Sequence, residues 1–277
     1  MIRVSEITKE FKQGKEEKKV LDKVTWDVPD GTITGLVGRK GSGKTVALRI
    51  ITGIQNPSHG KVMLDGYDIM VDTLDARISF GYVPADTEQF QGLTGAEYLN
   101  FIADIYEVSE ENRKSFMEKY AGDLKVELYL KHRMSTYTKS MYKKIMLLGA
   151  MIHQPRNLIL DSFFDGLDDS DVEPVKKTLK KYAEYDRAVL ITESRLKVVD
   201  GLCSKVVLLI SGKVKYDGTM EGLKEKYGSQ ATLDTIEMML HKDTEELFKE
   251  GEEEFGSDEK ESAGRRKFPW SKLFDKL

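Results

Sequence analysis

The chain has 277 residues, with 43 Lys and Arg against 47 Asp and Glu, a formal net charge of −4 and one cysteine. Its length supports one large core or two small domains, and its acidic balance argues against a nucleic-acid binder, which needs a basic face. A lone Cys203 precludes an internal disulfide and suits a reducing cytosol.

Residues 1 to about 85 read as short β-runs plus one helix. Met1-Ile2-Arg3-Val4 leads into a strand without a signal-peptide pattern. The β-rich run Thr32-Ile33-Thr34-Gly35-Leu36-Val37 precedes Gly38-Arg39-Lys40-Gly41-Ser42-Gly43-Lys44-Thr45, and the apolar helix Val46-Ala47-Leu48-Arg49-Ile50-Ile51 follows. The spacing G-x-x-x-x-G-K-T builds a phosphate cradle. Glycines let the backbone curl around an anion with its N–H groups inward. The lysine reaches the β- and γ-phosphates, the Thr45 hydroxyl holds Mg²⁺, and the helix dipole adds to the attraction. Strand before and helix after leave little room for a chance glycine turn.

Residues from about 86 to 140 read as mostly helical. Tyr98, Phe101, Ile102 and Ile105 recur at helical spacing, with Leu99 and Tyr106 widening the stripe, which reads as core packing or as a contact surface. A helix from Met141 carries Ile145, Leu148, Gly149 and Ile152 and is expected to bury one face. Asn157-Leu158-Ile159-Leu160-Asp161 is an apolar strand ending in a carboxylate. Paired with the phosphate loop, Asp161 is placed to order Mg²⁺ through water. No N-K-x-D guanine-reading element follows. Ala188-Val189-Leu190-Ile191-Thr192 extends a mainly parallel sheet, so the alternation of strands and helices argues an α/β fold. The four histidines show no metal-ligand spacing.

Glu245 to Glu261 is acidic and Gly-interrupted, and reads as a solvated linker or frayed helix. In the basic tail beyond it, Trp270, Leu273, Phe274 and Leu277 form an apolar stripe started by Pro269 and flanked by Lys272 and Lys276. That pattern suits an anionic membrane surface or a groove on a partner, against packing back on the chain's own domain or simple disorder. No apolar run approaches the roughly 20 residues of a membrane span.

Over roughly residues 1–240 the chain resembles the ATP-binding subunit of an ABC transporter. It is most similar to the single-domain subgroup serving drug, lantibiotic and polysaccharide exporters. Val20-Leu21-Asp22-Lys23-Val24, Gly53 to Gly60, Gly81-Tyr82-Val83-Pro84, Leu93-Thr94-Gly95-Ala96-Glu97-Tyr98-Leu99, Gly166-Leu167-Asp168 and Val206 to Gly218 match family segments in order. The resemblance implies a P-loop NTPase fold of ABC type: a mixed-sheet core, an antiparallel β subdomain, and a helical subdomain at about 86–140 touching a transmembrane partner. A linker at 241–264 and a tail at 265–277 lie outside it. It also implies ATP and Mg²⁺ as ligands. Phe11 stands where the family stacks a ring on adenine, and such a ring tolerates guanine as well. Asp168 falls in the D-loop.

Four family elements depart from pattern while the phosphate loop is untouched. Ala85 stands for the Q-loop glutamine, with Gln89 a candidate substitute. Ser162 stands for the glutamate after the Walker B aspartate, and Ser194 for the switch histidine. Tyr137-Thr138-Lys139-Ser140-Met141 aligns with the L-S-G-G-Q signature. In the family the signature serves the partner subunit's nucleotide from a helix N-terminus. Thr138 keeps a hydroxyl and Lys139 adds charge, while Ser140 replaces a glycine whose backbone could need positive φ. Serine cannot take up a proton usefully near neutral pH, and lost general-base help is worth about 10²–10⁴ in rate. The expectation is a subunit that binds Mg-ATP firmly and turns it over slowly. It would sit at the cytoplasmic face of the membrane with a permease and a second ATP-binding subunit, as the degenerate half of a heterodimer or as a slow homodimer. The alternatives are a non-hydrolysing, ATP-occupied module and a non-transport ABC ATPase.

Overall fold

The computed structural model describes residues 1–13, 16–85, 88–230 and positions 232, 235, 236 and 238. The expected linker (241–264) and tail (265–277) lie outside the described residues. Residues 1–233 form one compact unit; of the second, 234–277, only three positions are described.

A four-stranded antiparallel sheet runs in the order β2-β1-β4-β5, from β1 (Ile2–Gln13), β2 (Glu16–Val28), β4 (His59–Leu64) and β5 (Tyr67–Asp68). Ile2 and Val4 of β1 and Val24, Trp26 and Val28 of β2 alternate inward, the period-2 pattern of a half-buried sheet. The second sheet has the order β10-β9-β3-β8-β7-β6, from β3 (Ile33–Val37), β6 (Phe80–Val83), β7 (Asn157–Leu160), β8 (Ala188–Glu193), β9 (Lys205–Ile210) and β10 (Lys213–Thr219). Its strands are parallel except β10, which returns antiparallel to β9 through Ser211 and Gly212. Both turn residues have positive φ, as a tight two-residue hairpin requires. β3, β7 and β8 are buried throughout, the uninterrupted apolar run of strands covered on both faces. One core joins the two sheets, with Ile2, Trp26 and Leu64 from the first and Leu36, Ile159, Leu190 and Leu209 from the second. Leu48, Ile50 and Ile51 of α1 (Lys44–Ile51) fill it. This is the expected mixed-sheet core with its antiparallel β layer.

The remaining helices are α2 (Thr73–Ile78), α3 (Gly95–Ile105), α4 (Glu110–Leu124), α5 (Lys139–Met151), α6 (Asp169–Ala183), α7 (Leu196–Val199) and α8 (Met220–Tyr227). Residues 88–140 carry helices and short 3₁₀ turns. The Leu93–Leu99 segment explains itself as a helix start. Thr94 Oγ1 accepts from the Glu97 N–H at 3.2 Å, and Glu97 accepts from the Thr94 N–H at 2.7 Å, closing a capping box on α3.

The structure divides one helical expectation and corrects another. On α3 the buried positions are Tyr98, Leu99 and Ala103, while Phe101 and Ile105 point outward, 47% and 58% exposed. The expected stripe is split because α5 covers only the side bearing Tyr98, whose ring lies against Gly149. α5 does not bury one face: from Tyr142 to Met151 every residue is buried. It runs between β6, α3 and α4, so no side is left to water.

Candidate functional site

The parallel register brings the carboxyl ends of four strands together. Val83 pairs with Leu160, Leu160 with Ile191, and Val37 with Glu193. Gly38, Pro84, Asp161 and Ser194 therefore leave the sheet at one edge, where open parallel sheets place their ligands.

The phosphate loop is shaped by contacts that only glycine permits at its ends. A Cβ on Gly38 would lie 2.3 Å from the Leu209 carbonyl oxygen. Gly43 has φ +108, and a Cβ there would meet Leu21 of β2 at 2.7 Å. Gly41 (φ +87) has nothing near it, and Arg39, Lys40 and Gly41 are exposed. No side chain caps α1, so Gly43 hands the helix over with its first N–H groups uncapped. Ser42 Oγ is buried and has no hydrogen-bond partner among the described residues. Lys44 Nζ donates to the carbonyls of Gly38 (2.5 Å) and Arg39 (3.0 Å). Burial pulls this ammonium below its ordinary value, while Asp161, Glu193 and Asp165 act to raise it. Thr45 lies exposed one residue into α1. An uncapped helix start, an orphaned hydroxyl and a lysine held over the loop are a donor set that fits a polyphosphate. Thr45 and Asp161 are the oxygens available for a hard cation.

Asp161 is 2% exposed, directly beyond β7. Its Oδ1 accepts from Thr192 Oγ1 at 2.7 Å and from Ser162 Oγ at 3.4 Å. The Ser162 N–H donates to the same Thr192 oxygen at 2.9 Å. Ser162 itself has φ +46, a left-handed conformation that costs a non-glycine residue about 1–3 kcal/mol. Beyond β8 the Ser194 N–H donates to Glu193 Oε1 at 2.8 Å. Arg195 reaches Glu193 at 3.4 Å and Asp165 at 3.1 Å. The two serines thus sit at the ends of neighbouring strands, where side chains of the same chain tie their loops together.

The aligned signature forms the start of α5. Thr138 is its N-cap, with Oγ1 accepting from the Met141 N–H at 3.2 Å. Ser140 does not take the positive φ considered for it. It lies inside α5, 1% exposed, and donates to Asp171 Oδ2 at 2.5 Å while accepting from the Asp168 N–H at 3.2 Å. Its hydroxyl is turned inward, so Ser140 adds no bulk to the outer face of this helix start. Lys144, also buried, completes the knot with Asp171 at 2.9 Å. Thr138 and Lys139 are exposed and Met141 half-buried; the Lys139 stem lies on Gly166 (φ +83). Asp168 is the N-cap of α6.

Phe11 stands apart from the loop, on β1 opposite Lys18, with Lys9 Nζ 5.2 Å from its ring centroid. Lys9 pairs with Leu21, the residue touching Gly43, so Phe11 lies about 7 Å further along the strand, two residues on. Ala85 follows β6 half-buried, and Gln89 is exposed on a 3₁₀ turn.

A family model described as "ABC transporter" matches residues 21–164, about half of the chain. The chain belongs to the ABC transporter family. It is similar to the ABC transporter ATP-binding protein NatA of Bacillus subtilis (strain 168), 25% identical over 231 residues that cover 83% of this chain and 94% of NatA. The ABC-type transporter ATP-binding protein EcsA of the same strain is 27% identical over 236 residues, covering 85% and 96%. A solved ATP-binding subunit of an ABC transporter shares the fold with a TM-score of 0.79 at 24% identity, over 87% of this chain and 99% of that one. The chain is thus an ATP-binding component of an ABC transporter.

Sequence reading of this ABC cassette missed four supporting residues. The Gly212 N–H donates to the Ser42 carbonyl at 3.0 Å, so the β9–β10 turn braces the phosphate loop. Its signal was legible, as Ser-Gly between two apolar runs. Thr192 read only as the end of a strand, and Glu193 drew no expectation. Lys143 drew no expectation from the sequence; it is 1% exposed and donates to the carbonyls of Ser162 and Phe163 at 2.8 and 2.7 Å. Burial, with Lys139 nearby, lowers its ammonium to about 8 against the pull of Asp165, Glu193 and Asp161.

Proposed function

We propose that this subunit holds Mg-ATP on Gly38–Thr45, with Thr45 and Asp161 ordering the magnesium, and hydrolyses it slowly. Bound magnesium would screen the phosphate charges. One observation carries the reading: the loop keeps every glycine its contacts demand, while position 162 carries a hydroxyl and no carboxylate and position 194 a hydroxyl and no imidazole. Around the serines, Thr192 binds the Asp161 carboxylate, and the Glu193 carboxylate is engaged by the Ser194 N–H and by Arg195. Phe11 is proposed to stack on the base and Asp168 to act from its loop.

In the reading we favour, the chain pairs with a second, competent ATP-binding subunit. It offers Thr138, Lys139 and Met141 at the uncluttered start of α5, with Ser140 turned inward. A permease would dock on the helical segment at about 86–140, the whole resting on the cytoplasmic membrane face as part of an exporter. The nucleotide domain would run to about residue 240. Among the described residues no helix is long and apolar enough to cross a membrane. The deciding experiment measures ATP binding and phosphate release by the purified chain, with and without S162E and S194H together. Tight binding, slow release and a rise of at least about tenfold on restoration are expected, against the 10²–10⁴ typical of a restored general base. Firm binding with no rise would favour the second reading, an ATP-occupied module that does not hydrolyse. The mutual satisfaction of Asp161, Ser162 and Thr192 speaks for that alternative.

A further inference from the structure

Lys143 is a buried ammonium without a salt-bridge partner within 4.0 Å among the described residues. Taking such a charge from water is expensive unless hydrogen bonds and nearby opposite charge replace the solvent. Here the replacement is specific. Nζ donates to two consecutive carbonyls, Ser162 O and Phe163 O, and lies 5.6 Å from the centroid of the Phe163 ring. An apolar side chain at this buried position of α5 would carry none of the desolvation cost.

Those two carbonyls belong to the turn immediately after Asp161. The chain enters it through the left-handed Ser162 (φ +46), and the Asp165 N–H closes it on the Ser162 carbonyl at 3.2 Å. On the near side of the turn Thr192 binds both the Asp161 carboxylate and the Ser162 N–H. Threonine therefore holds the entrance of the turn, where it also binds the Asp161 carboxylate, and Lys143 holds its exit. The same lysine lies in the second turn of α5, whose first turn carries Thr138 to Met141.

We propose that Lys143 is a positioning residue that fixes the Asp161 turn for the metal. The magnesium contribution to nucleotide affinity would then depend on Lys143, whereas metal-free binding to the phosphate loop would not. This rests on the assignment of Asp161 to magnesium.

The test is ATP binding by the full chain, in excess Mg²⁺ and in EDTA, for wild type, K143M and K143Q, with thermal melting alongside. Outer-shell partners of metal ligands typically change metal affinity about 10–100-fold, so K143M is expected to shrink the Mg²⁺-to-EDTA affinity ratio by about that factor. Affinity in EDTA should stay near wild type. K143Q keeps one N–H donor for a carbonyl and should recover part of the ratio; it also serves if K143M does not fold. An unchanged ratio in K143M, or in K143Q where K143M does not fold, overturns the proposal. So does equal loss with and without Mg²⁺, which is the signature of a merely structural lysine. If wild type itself shows no Mg²⁺ enhancement, the magnesium assignment fails and the role of Lys143 falls with it.

Discussion

The phosphate loop and the loops bearing Ser162 and Ser194 leave the same sheet edge, yet they are built on different principles. The first is backbone geometry. Gly38 and Gly43 are pressed against Leu209 and Leu21 so closely that a methyl group cannot enter, and the Gly212 N–H braces the Ser42 carbonyl from behind. The second is side-chain chemistry on strands that would fold the same way with other residues at their tips. Thr192, Glu193, Arg195 and Lys143 tie these loops internally. A nucleotide grip made of backbone cannot drift without loss of the local fold, whereas catalytic side chains can be exchanged at little structural cost. That is why binding and turnover can part company within one domain.

The sharpest way to break this contrast is to add one carbon to the loop. G38A places a Cβ against the Leu209 carbonyl and should abolish detectable ATP binding. Overpacking of this kind also costs about 1–3 kcal/mol of stability, read by thermal melting. ATP bound normally by G38A would mean that the loop is not held as tightly as its contacts imply. K44A is the next largest. It removes a charged donor worth about 1.5–3 kcal/mol, so affinity should fall by about 10–150-fold in a nucleotide titration while the melting temperature changes little.

On the other side of the comparison, T192V is nearly isosteric but deletes the hydroxyl that serves both Asp161 and the Ser162 N–H. Leaving buried groups short of a partner costs about 1–3 kcal/mol, to be measured by denaturant unfolding. A neutral result would show that the loops after β7 and β8 are not knit by this threonine.

What could be read in advance follows the same division. The phosphate loop was legible because its geometry demands particular residues at particular spacing. The Asp161 strand was legible for the same reason, whereas the turn at Ser211-Gly212 and the Thr94–Glu97 helix start were matched only as family segments. The α3 stripe left core packing and contact surface open because periodicity says that apolar residues share a face, not which neighbour covers it; α5 covers Tyr98 and leaves Phe101 and Ile105 outside. Lys143 and Glu193 were illegible because a charged residue in an apolar run looks like a solvated break. Their meaning depends on carbonyls and loops distant in sequence.

A pH series separates fold from site. His153 stacks on Tyr106 with ring centroids 3.7 Å apart, and its Nε2 lies 3.3 Å from the Phe80 carbonyl. Burial pushes this imidazole from 6.5 down to about 4, so the folded protein keeps it neutral while the unfolded chain takes up a proton below about pH 6.5. Its contribution is therefore flat above that pH and weakens stability as the pH falls from 6.5 towards about 4. The loss is on the order of 1–3 kcal/mol. H153Q should flatten that window in pH-dependent unfolding; an unchanged slope would assign the acid sensitivity to other groups.

The smallest effect is expected at Arg195, and it bears on whether the rebuilt loops act as one piece. Its guanidinium spans from Glu193 to Asp165, linking the loop after β8 to the one after β7. The side chain is 55% exposed, so water and salt screen both pairs. R195A should cost no more than about 1 kcal/mol, and less at high ionic strength. ATP affinity should hold, since Lys44 and the loop carbonyls are untouched. A larger, salt-insensitive loss would place Arg195 with Thr192 and Lys143 as a structural tie. The loops after β7 and β8 would then be as tightly specified as the phosphate loop, and the freedom to exchange residues there would be confined to Ser162 and Ser194.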